Sequence, residues 1–424
     1  MSDRPTVVFF PEGAYGPTNN CVGIGQVLAA RGARVVFVVE ESFAGTLEAQ
    51  GFEEALMRLK PKPEGDQGEA IGQFWKDFVR ETAPEFRKPT IEQLEGFVLP
   101  VWEELIEGAR YVDERLVEIF DEVRPDVIVE DNVVAFPAVQ AAGVPWVRIV
   151  SCNPLELKDP ELPPPFSGYP ADDRSGWDEF RARYRELHEP LQREFSEFCV
   201  GRGAPPLPDG EFIHESPDLN FYLYPAEVDY ERSRPLAPTW RRLESCVREQ
   251  GAGFGSPGPG PVVYLSLGSL GSADVELMRK LIGTLAETDY HVIVSLGPQH
   301  EELELAPNMS GEEFLPQPAI LPEVDAVITH GGNNTVVVAL HFGKPMVVLP
   351  LFWDQHDNAQ RMHELGLGRR LDTYGHEPGE LLDAIDSLFA DPVLPGRLSS
   401  ISSRLQAEPG TVKAADLIEA VGSG

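Results

Sequence analysis

The chain has 424 residues, which is too long for one ordinary hydrophobic core and long enough for two domains. Its 69 acidic against 35 basic side chains give a formal charge of -34, which opposes binding to nucleic acid or to an anionic membrane surface. The sequence has no apolar run long enough to cross a bilayer, and its four cysteines show no metal-binding spacing.

The first apolar run, residues 6–10, is too short for the core of a signal peptide. We therefore expect a cytoplasmic protein without stable membrane insertion, either a monomer or a homodimer. A polar loop follows this run, and then a helical stretch that ends at Gly32, for which Thr18 or Asn19 is the expected N-cap. A second strand, residues 34–39, completes a βαβ unit.

The same order recurs further along the N-terminal half. Residues 126–130 and 146–150 are predicted strands, and residues 133–143 between them are a predicted helix. Both strands are mainly apolar and do not alternate regularly with polar residues, which is typical of strands buried on both faces. The pattern predicts a parallel sheet with helices on its two sides.

A stretch rich in glycine and proline, residues 251–260, interrupts this order and is the predicted linker. The alternation of strands and helices then restarts, with predicted strands at residues 262–267, 291–296, 326–329 and 346–349. The fold class is therefore α/β, with two doubly wound domains that face each other across a cleft. The predicted divisions are residues 1–250, 251–260, 261–400, and a helix at 401–424 that returns to the first domain.

Aromatic side chains are frequent between the N-terminal strands, and they pack helices onto the sheet, line an apolar pocket, or do both. An apolar hydroxylated ligand would need such a pocket. The candidate residues for binding it are Tyr15, Asn19, Trp75, Phe78, Trp102 and Phe166.

The segment from Thr329 to Thr335 has the composition of an anion site. Gly331 and Gly332 follow a strand and precede a helix, so backbone amides and the helix N-terminus can approach a phosphate. His330 and Thr335 add side-chain donors. The segment therefore predicts a local site for a diphosphate despite the negative charge of the whole chain.

Residues 314–359 contain Pro-Gln, His-Gly-Gly, Asn-Thr, Gly-Lys-Pro and Asp-Gln-His-Asp-Asn-Ala in this order. The series resembles the donor-binding signature of family 1 glycosyltransferases, which implies a GT-B fold with two Rossmann-like parallel-sheet domains facing a cleft. The resemblance implies that Gln317 binds the nucleobase with Phe314 stacked on it, and that Asp354 and Gln355 bind the sugar. The residues implied at the diphosphate are Ser269, His330, Gly332, Asn334 and Thr335.

The resemblance also implies a histidine base in the loop after the first strand, and this chain departs from that pattern. The loop contains Glu12 and no histidine, whereas the aspartate that would orient the histidine is matched by Asp131. Three interpretations stay open: Asp131 or Glu12 acts as the base, the acceptor is acidic enough to need none, or transfer activity has been lost.

Together these features predict an inverting, metal-independent transferase that moves a hexose to an apolar natural-product acceptor. The co-substrate would be UDP-glucose or a dTDP-sugar, with no metal and no other cofactor. Gly23-Ile-Gly25 lacks the third glycine of a dinucleotide fingerprint, so NAD is not expected. The alternatives are a nucleotide-sugar epimerase and a protein that binds a nucleotide-sugar without catalysis.

Overall fold

The computed structural model describes residues 4–61, 82–248 and 260–422. Within these ranges two parallel sheets form. The strands of the first sheet are β1 (Thr6–Pro11), β2 (Arg34–Glu40), β3 (Glu53–Met57), β4 (Val127–Asp131), β5 (Trp146–Val150), β6 (Leu219–Tyr222) and β7 (Trp240–Arg242). The strand order is β3-β2-β1-β4-β5-β6-β7. The chain adds strands to one side of β1 first and then, from β4 onward, to the other side. This change in strand order places a crevice between β1 and β4, at their carboxyl ends.

The second sheet has the order β10-β9-β8-β11-β12-β13. Its strands are β8 (Val262–Ser266), β9 (His291–Ser295), β10 (Met309–Glu312), β11 (Ala326–Thr329), β12 (Met346–Val348) and β13 (Gly368–Arg370). The register is parallel throughout, for example with Thr329 opposite Ser266 and Val348. The predicted α/β class with two parallel sheets is confirmed.

The helices connect the strands and cover both faces of each sheet. They are α1 (Tyr15–Ala30), α2 (Thr90–Gln93), α3 (Leu99–Val123), α4 (Pro137–Ala141), α5 (Trp177–Gly201), α6 (Gly268–Gly271), α7 (Val275–Leu285), α8 (Gln317–Ile320), α9 (Asn333–His341), α10 (Gln355–Glu364), α11 (Pro378–Phe389), α12 (Leu394–Ala407) and α13 (Gly410–Gly422). Short 3-10 turns lie at Glu41–Phe43, Glu48–Gln50, Ala83–Arg87, Pro154–Glu156, His300–Glu302 and Leu321–Glu323, and a π turn at Leu94–Val98. None of the helices in the described ranges is long and apolar enough to span a membrane.

Alternate side chains of the first sheet enter two separate cores. Val8 and Phe10 of β1 face the core that contains α3, whereas Val7 and Phe9 face the core that contains α1 and α13. This explains the continuous apolar runs of the sequence, since each strand is covered on both sides.

Helix α13 follows the second sheet in the chain but lies against α1 of the first. Arg31 at the end of α1 forms ion pairs with Asp416 and Glu419 of α13. Gly23 is needed here, because a Cβ atom at this position would lie 2.9 Å from the carbonyl oxygen of Cys246. Gly23 thus lets α1 approach both Thr411 of α13 and the segment that contains Cys246. The domain divisions remain a prediction, and most of the predicted linker lies outside the described residues.

Two local predictions were wrong. Helix α1 begins at Tyr15, with Ala14 as its N-cap, so Thr18 and Asn19 lie within the helix rather than at its cap. Pro17 is tolerated in this first turn because amides there have no partner in the helix. The helix predicted at residues 133–143 is shortened to α4, since Pro137 occupies its first turn and disfavours helical geometry at the preceding residue.

Gly410→Ala tests the packing of α13. An added Cβ atom would lie 2.0 Å from the carbonyl oxygen of Leu243, so we expect a loss of about 1–3 kcal/mol, measured as a lowered midpoint of thermal unfolding. Gly283→Ala in α7 is the control, because nothing lies within 4 Å of its added methyl group. An equal midpoint for the two variants would contradict the close approach of α13.

Candidate functional site

The two sheets meet at the carboxyl ends of their strands, and hydrogen bonds cross between them. Asn333, the first residue of α9, donates from Nδ2 to the carbonyl oxygen of Ser151 after β5, at 3.0 Å. The same Nδ2 atom donates to the carbonyl oxygen of Leu223 after β6, at 3.1 Å. The loop before α9 is therefore held directly over the end of the first sheet.

The loop between β11 and α9 contains two glycines, so no side chain at these positions shields its backbone from a ligand. Gly331 has a φ of 91° and donates its amide to Thr329 Oγ1 at 3.2 Å. The His330 imidazole packs against Gly268 and Gly332, where added Cβ atoms would lie 2.8 and 2.6 Å from the ring. Burial lowers the pKa of His330 to about 4, so the ring is neutral at pH 7.

The other predicted donor residues surround this loop. Ser269 lies in α6, partly buried beside Gly268, which contacts His330. Thr335 and Gln317 exchange a hydrogen bond of 3.3 Å between Oγ1 and Nε2. Asn334 is partly exposed and faces Gly16 at the start of α1. The predicted diphosphate and base residues are thus brought together by the fold.

Asp354 and Gln355 lie at the start of α10 and already have partners. Asp354 Oδ2 accepts the amide of Asn153, at 2.8 Å, from the first sheet's side of the cleft. Gln355 Oε1 accepts the amides of Leu351 and Phe352, at 3.0 and 3.3 Å. Gln355 thereby braces the turn in which Trp353 adopts a φ of 57°.

Three residues of α10 that sequence reasoning passed over join the two halves. Asp357 accepts the amides of Phe166 and Gly168, at 2.6 and 2.8 Å. Asn358 Oδ1 accepts Asn153 Nδ2 at 2.8 Å, and Arg361 Nε donates to the carbonyl oxygen of Val228 at 2.7 Å. No spacing rule could have found these pairs, because the partners are separated by more than a hundred residues.

On the N-terminal side, Glu12 follows β1 and Asp131 is the last residue of the neighbouring strand β4. The Glu12 amide donates to the Asp131 carbonyl oxygen at 2.8 Å. Burial, reinforced by the charges of Asp131 and Asp354, raises the pKa of Glu12 to about 7. Burial also raises the pKa of Asp131 to about 7, against the hydrogen bond of 2.6 Å that it accepts from Ser151 Oγ. Each of these two carboxyl groups can therefore take up or release a proton near neutral pH, as a general acid or base must.

A cavity of about 150 Å³ lies at the carboxyl ends of β1 to β4, between the sheet and α3. Glu12 lies at its wall. The apolar side chains that line it are Phe10, Met57, Leu59, Leu105, Val133, Val134 and Phe136. Charged side chains of Glu40, Arg58, Lys60 and Glu104 also lie at the wall, and the apolar part of the cavity suits an apolar ligand next to Glu12.

The predicted acceptor residues that fall within the described ranges do not line this cavity. Trp102 and Phe166 are buried and pack on Trp353, with ring centroids 5.0 and 4.4 Å apart, so they join the two halves. Tyr15 and Asn19 lie in the first turns of α1, and Tyr15 contacts Phe314. Trp75 and Phe78 lie outside the described residues. Binding of an acceptor by these residues stays a prediction.

Known proteins share this arrangement. Residues 243–410 match the family described as UDP-glucoronosyl and UDP-glucosyl transferase. Oleandomycin glycosyltransferase of Streptomyces antibioticus is 26% identical over 427 residues, covering 98% of this chain and 90% of the relative. NDP-glycosyltransferase YjiC of Bacillus licheniformis is 25% identical over 426 residues, covering 98% of this chain and 97% of the relative.

Residues 243–410 therefore match the model of this glycosyltransferase family, and the relatives that extend along nearly the whole chain are named glycosyltransferases. The solved structures agree on the GT-B fold of the family. The glycotransferase of kitacinnamycin superimposes with a TM-score of 0.67 at 24% identity, covering 99% of both chains. The glycosyltransferase VinC, in complex with dTDP, gives 0.65 at 16% identity, covering 99% of this chain and 100% of VinC. The glycosyltransferase is therefore a nucleotide-sugar-dependent enzyme.

Gly332→Ala tests the packing of the His330 ring in this glycosyltransferase. Gly332 has ordinary backbone angles, so alanine adds no strain of its own, but its Cβ atom would displace the ring. We expect a roughly ten- to hundredfold lower kcat/KM for transfer. Gly379→Ala in α11 is the control, because its methyl group meets nothing within 4 Å. Full activity of Gly332→Ala would show that the position of this ring is irrelevant to transfer.

Proposed function

We propose that this glycosyltransferase is an inverting, metal-independent enzyme that moves a hexose from UDP-glucose or a dTDP-sugar to a hydroxyl of an apolar natural-product acceptor. The observation that carries the proposal is the position of Glu12. Its carboxyl group lies at the wall of the apolar cavity, and it is close enough to Asp354 for that charge to raise its pKa. Glu12 thus connects the acceptor space to the predicted sugar site.

Glu12 is the proposed general base. It takes the proton of the acceptor hydroxyl while that oxygen attacks the anomeric carbon from the face opposite the diphosphate. The bond between the anomeric carbon and the phosphate oxygen breaks, and the nucleoside diphosphate leaves with the electron pair. An α-linked donor therefore gives a β-glycoside. The amides and side chains around His330 would stabilise the leaving diphosphate, as an oxyanion hole stabilises developing charge.

Asp131 is better suited to a supporting role. Its Oδ2 atom accepts the Ser151 hydroxyl, which itself accepts Asn20 Nδ2 at 3.0 Å. Asn132, not Asp131, lines the cavity. The charge of Asp131 raises the pKa of Glu12, and a base with a pKa near the working pH is the most effective.

The donor nucleotide and the acceptor class are proposed from the names of similar proteins. The structures of VinC and of the spinosyn rhamnosyltransferase SpnG hold thymidine diphosphate, whereas the matching family is described by UDP-sugars. Relatives include oleandomycin glycosyltransferase and zeaxanthin glucosyltransferase, which are named for natural products. Both donor nucleotides and several apolar acceptors therefore belong in the assay.

The activity is tested by incubating the protein with UDP-glucose or dTDP-glucose and a panel of phenolic, macrocyclic and carotenoid acceptors. We expect nucleotide release that depends on the acceptor, an acceptor mass increased by one hexose, and a β-anomeric product by NMR. Release of an epimerised sugar without an acceptor would instead identify an epimerase. Tight donor binding with no product from any acceptor would overturn the proposed transfer.

The pH dependence of kcat/KM tests the base. Glu12 must be deprotonated to act, so kcat/KM should rise as pH increases through about 7 and then level off. Glu12→Gln should lose about 10²- to 10⁴-fold in activity together with this rising limb.

Asp131→Asn is the matched comparison. It should keep the rising limb but move it to lower pH, because removing the Asp131 charge lowers the pKa of Glu12. If Asp131→Asn abolishes the limb while Glu12→Gln retains it, the two carboxyl groups have the opposite roles.

A further inference from the structure

The start of α1 belongs to the first sheet, yet it contacts the predicted base-binding side of the second. The rings of Tyr15 and Phe314 lie with centroids 5.8 Å apart and planes 38° apart. Both rings are about half exposed, at 51% and 47%. The two rings lie on opposite sides of the cleft and form a pair that is open to solvent.

The neighbouring contacts place this pair among donor residues. Gly16 lies beside Asn334, since a Cβ atom added at Gly16 would be 3.7 Å from the Asn334 Cβ atom, an ordinary van der Waals contact. Thr335, the next residue, is hydrogen bonded to Gln317, which follows Phe314 by three residues. Tyr15 thus lies next to the predicted nucleotide residues, with its ring against Phe314, and it does not line the apolar cavity that contains Glu12.

We infer that Tyr15 is a donor-binding residue, which stacks on the nucleobase from the side opposite Phe314. The inference rests on the proposed function, since it takes the donor to be a nucleoside diphosphate sugar. Each half of the enzyme supplies one of the two stacking rings, so binding of the donor nucleobase draws the two halves together.

The geometry requires only a small adjustment. Stacked rings approach to about 3.5 Å, so a base between two rings needs about 7 Å between their centroids. The present 5.8 Å is slightly shorter, and rotation of an exposed side chain at the start of a helix supplies the difference. Phe43 backs the Tyr15 ring from the N-terminal half, with centroids 5.5 Å apart, and limits how far it can withdraw.

The test compares ligands with and without a base. Binding of UDP, dTDP and inorganic pyrophosphate is measured by calorimetry, and KM values for donor and acceptor are measured by turnover. Tyr15→Ala should raise the Kd of UDP or dTDP and the donor KM about tenfold, as expected for loss of one stacking ring. The Kd of pyrophosphate and the acceptor KM should not change. Tyr15→Phe should restore nucleotide binding, because the ring is kept.

Tyr111→Ala is the matched control, since Tyr111 is 49% exposed on α3, away from the donor residues. It should leave every constant unchanged. A raised acceptor KM with unchanged nucleotide affinity in Tyr15→Ala would overturn the inference and return Tyr15 to the acceptor side. An equal increase in the Kd of UDP and of pyrophosphate would overturn the inference as well, because the Tyr15 ring would then only order the start of α1.

The two proposals fail differently. Wild-type transfer with an unaltered nucleotide Kd in Tyr15→Ala would contradict the role of Tyr15 alone. Tight nucleotide binding that depends on Tyr15, without transfer to any acceptor, would contradict the proposed activity alone. A wild-type protein that binds neither UDP nor dTDP would contradict both.

Discussion

The position of the two halves depends on hydrogen bonds that buried carboxylates at the start of α10 accept from backbone amides of the first half. Asp354 and Asp357 receive amides of Asn153, Phe166 and Gly168 from loops that leave the first sheet. A buried carboxylate without such donors would carry a large desolvation cost, so each half of the protein satisfies groups that the other half presents. The two halves are therefore tied together across the cleft by the same helix that begins the predicted sugar site.

This arrangement gives the carboxyl groups of the cleft a shared electrostatic environment. Burial raises the pKa of Glu12, Asp131 and Asp354 to about 7 in each case, and the charges of Asp131 and Asp354 add to the effect at Glu12. No basic residue in the expected loop replaces the histidine of the family. A carboxylate made more basic by its acidic neighbours can do the same chemistry, and the protein reaches that state by closing its two halves.

Much of the fold could be read from the sequence, and the reasons are physical. Strands such as β5 and β11 have the bounds that the sequence predicts, because short, mainly apolar runs bounded by polar or turn-forming residues have few other structures. The short strands β3, β6, β7, β10 and β13 were not predicted from the sequence. β10 includes Gly311 and exposed positions, so its sequence lacks an apolar run.

The site could be predicted only as far as its residues were close in sequence. His330, Gly332 and Thr335 share one loop, and the fold brings them together with Gln317. The partners of Asp357 and the orientation of Tyr15 depend on how the two halves dock, which no local pattern records. Trp102 shows the same limit, because an aromatic side chain on an amphipathic helix fits a pocket wall and a packed interface equally well.

The position of Trp353 affects the tryptophan fluorescence of the protein. Its ring contacts Trp102 and Phe166 of the other half, and Trp102 is buried. Separation of the halves would move the indole rings of Trp102 and Trp353 away from each other and let water reach both of them. The intrinsic emission of these tryptophans should therefore shift to longer wavelength as the cleft widens, so the enzyme contains its own reporter of opening and closing.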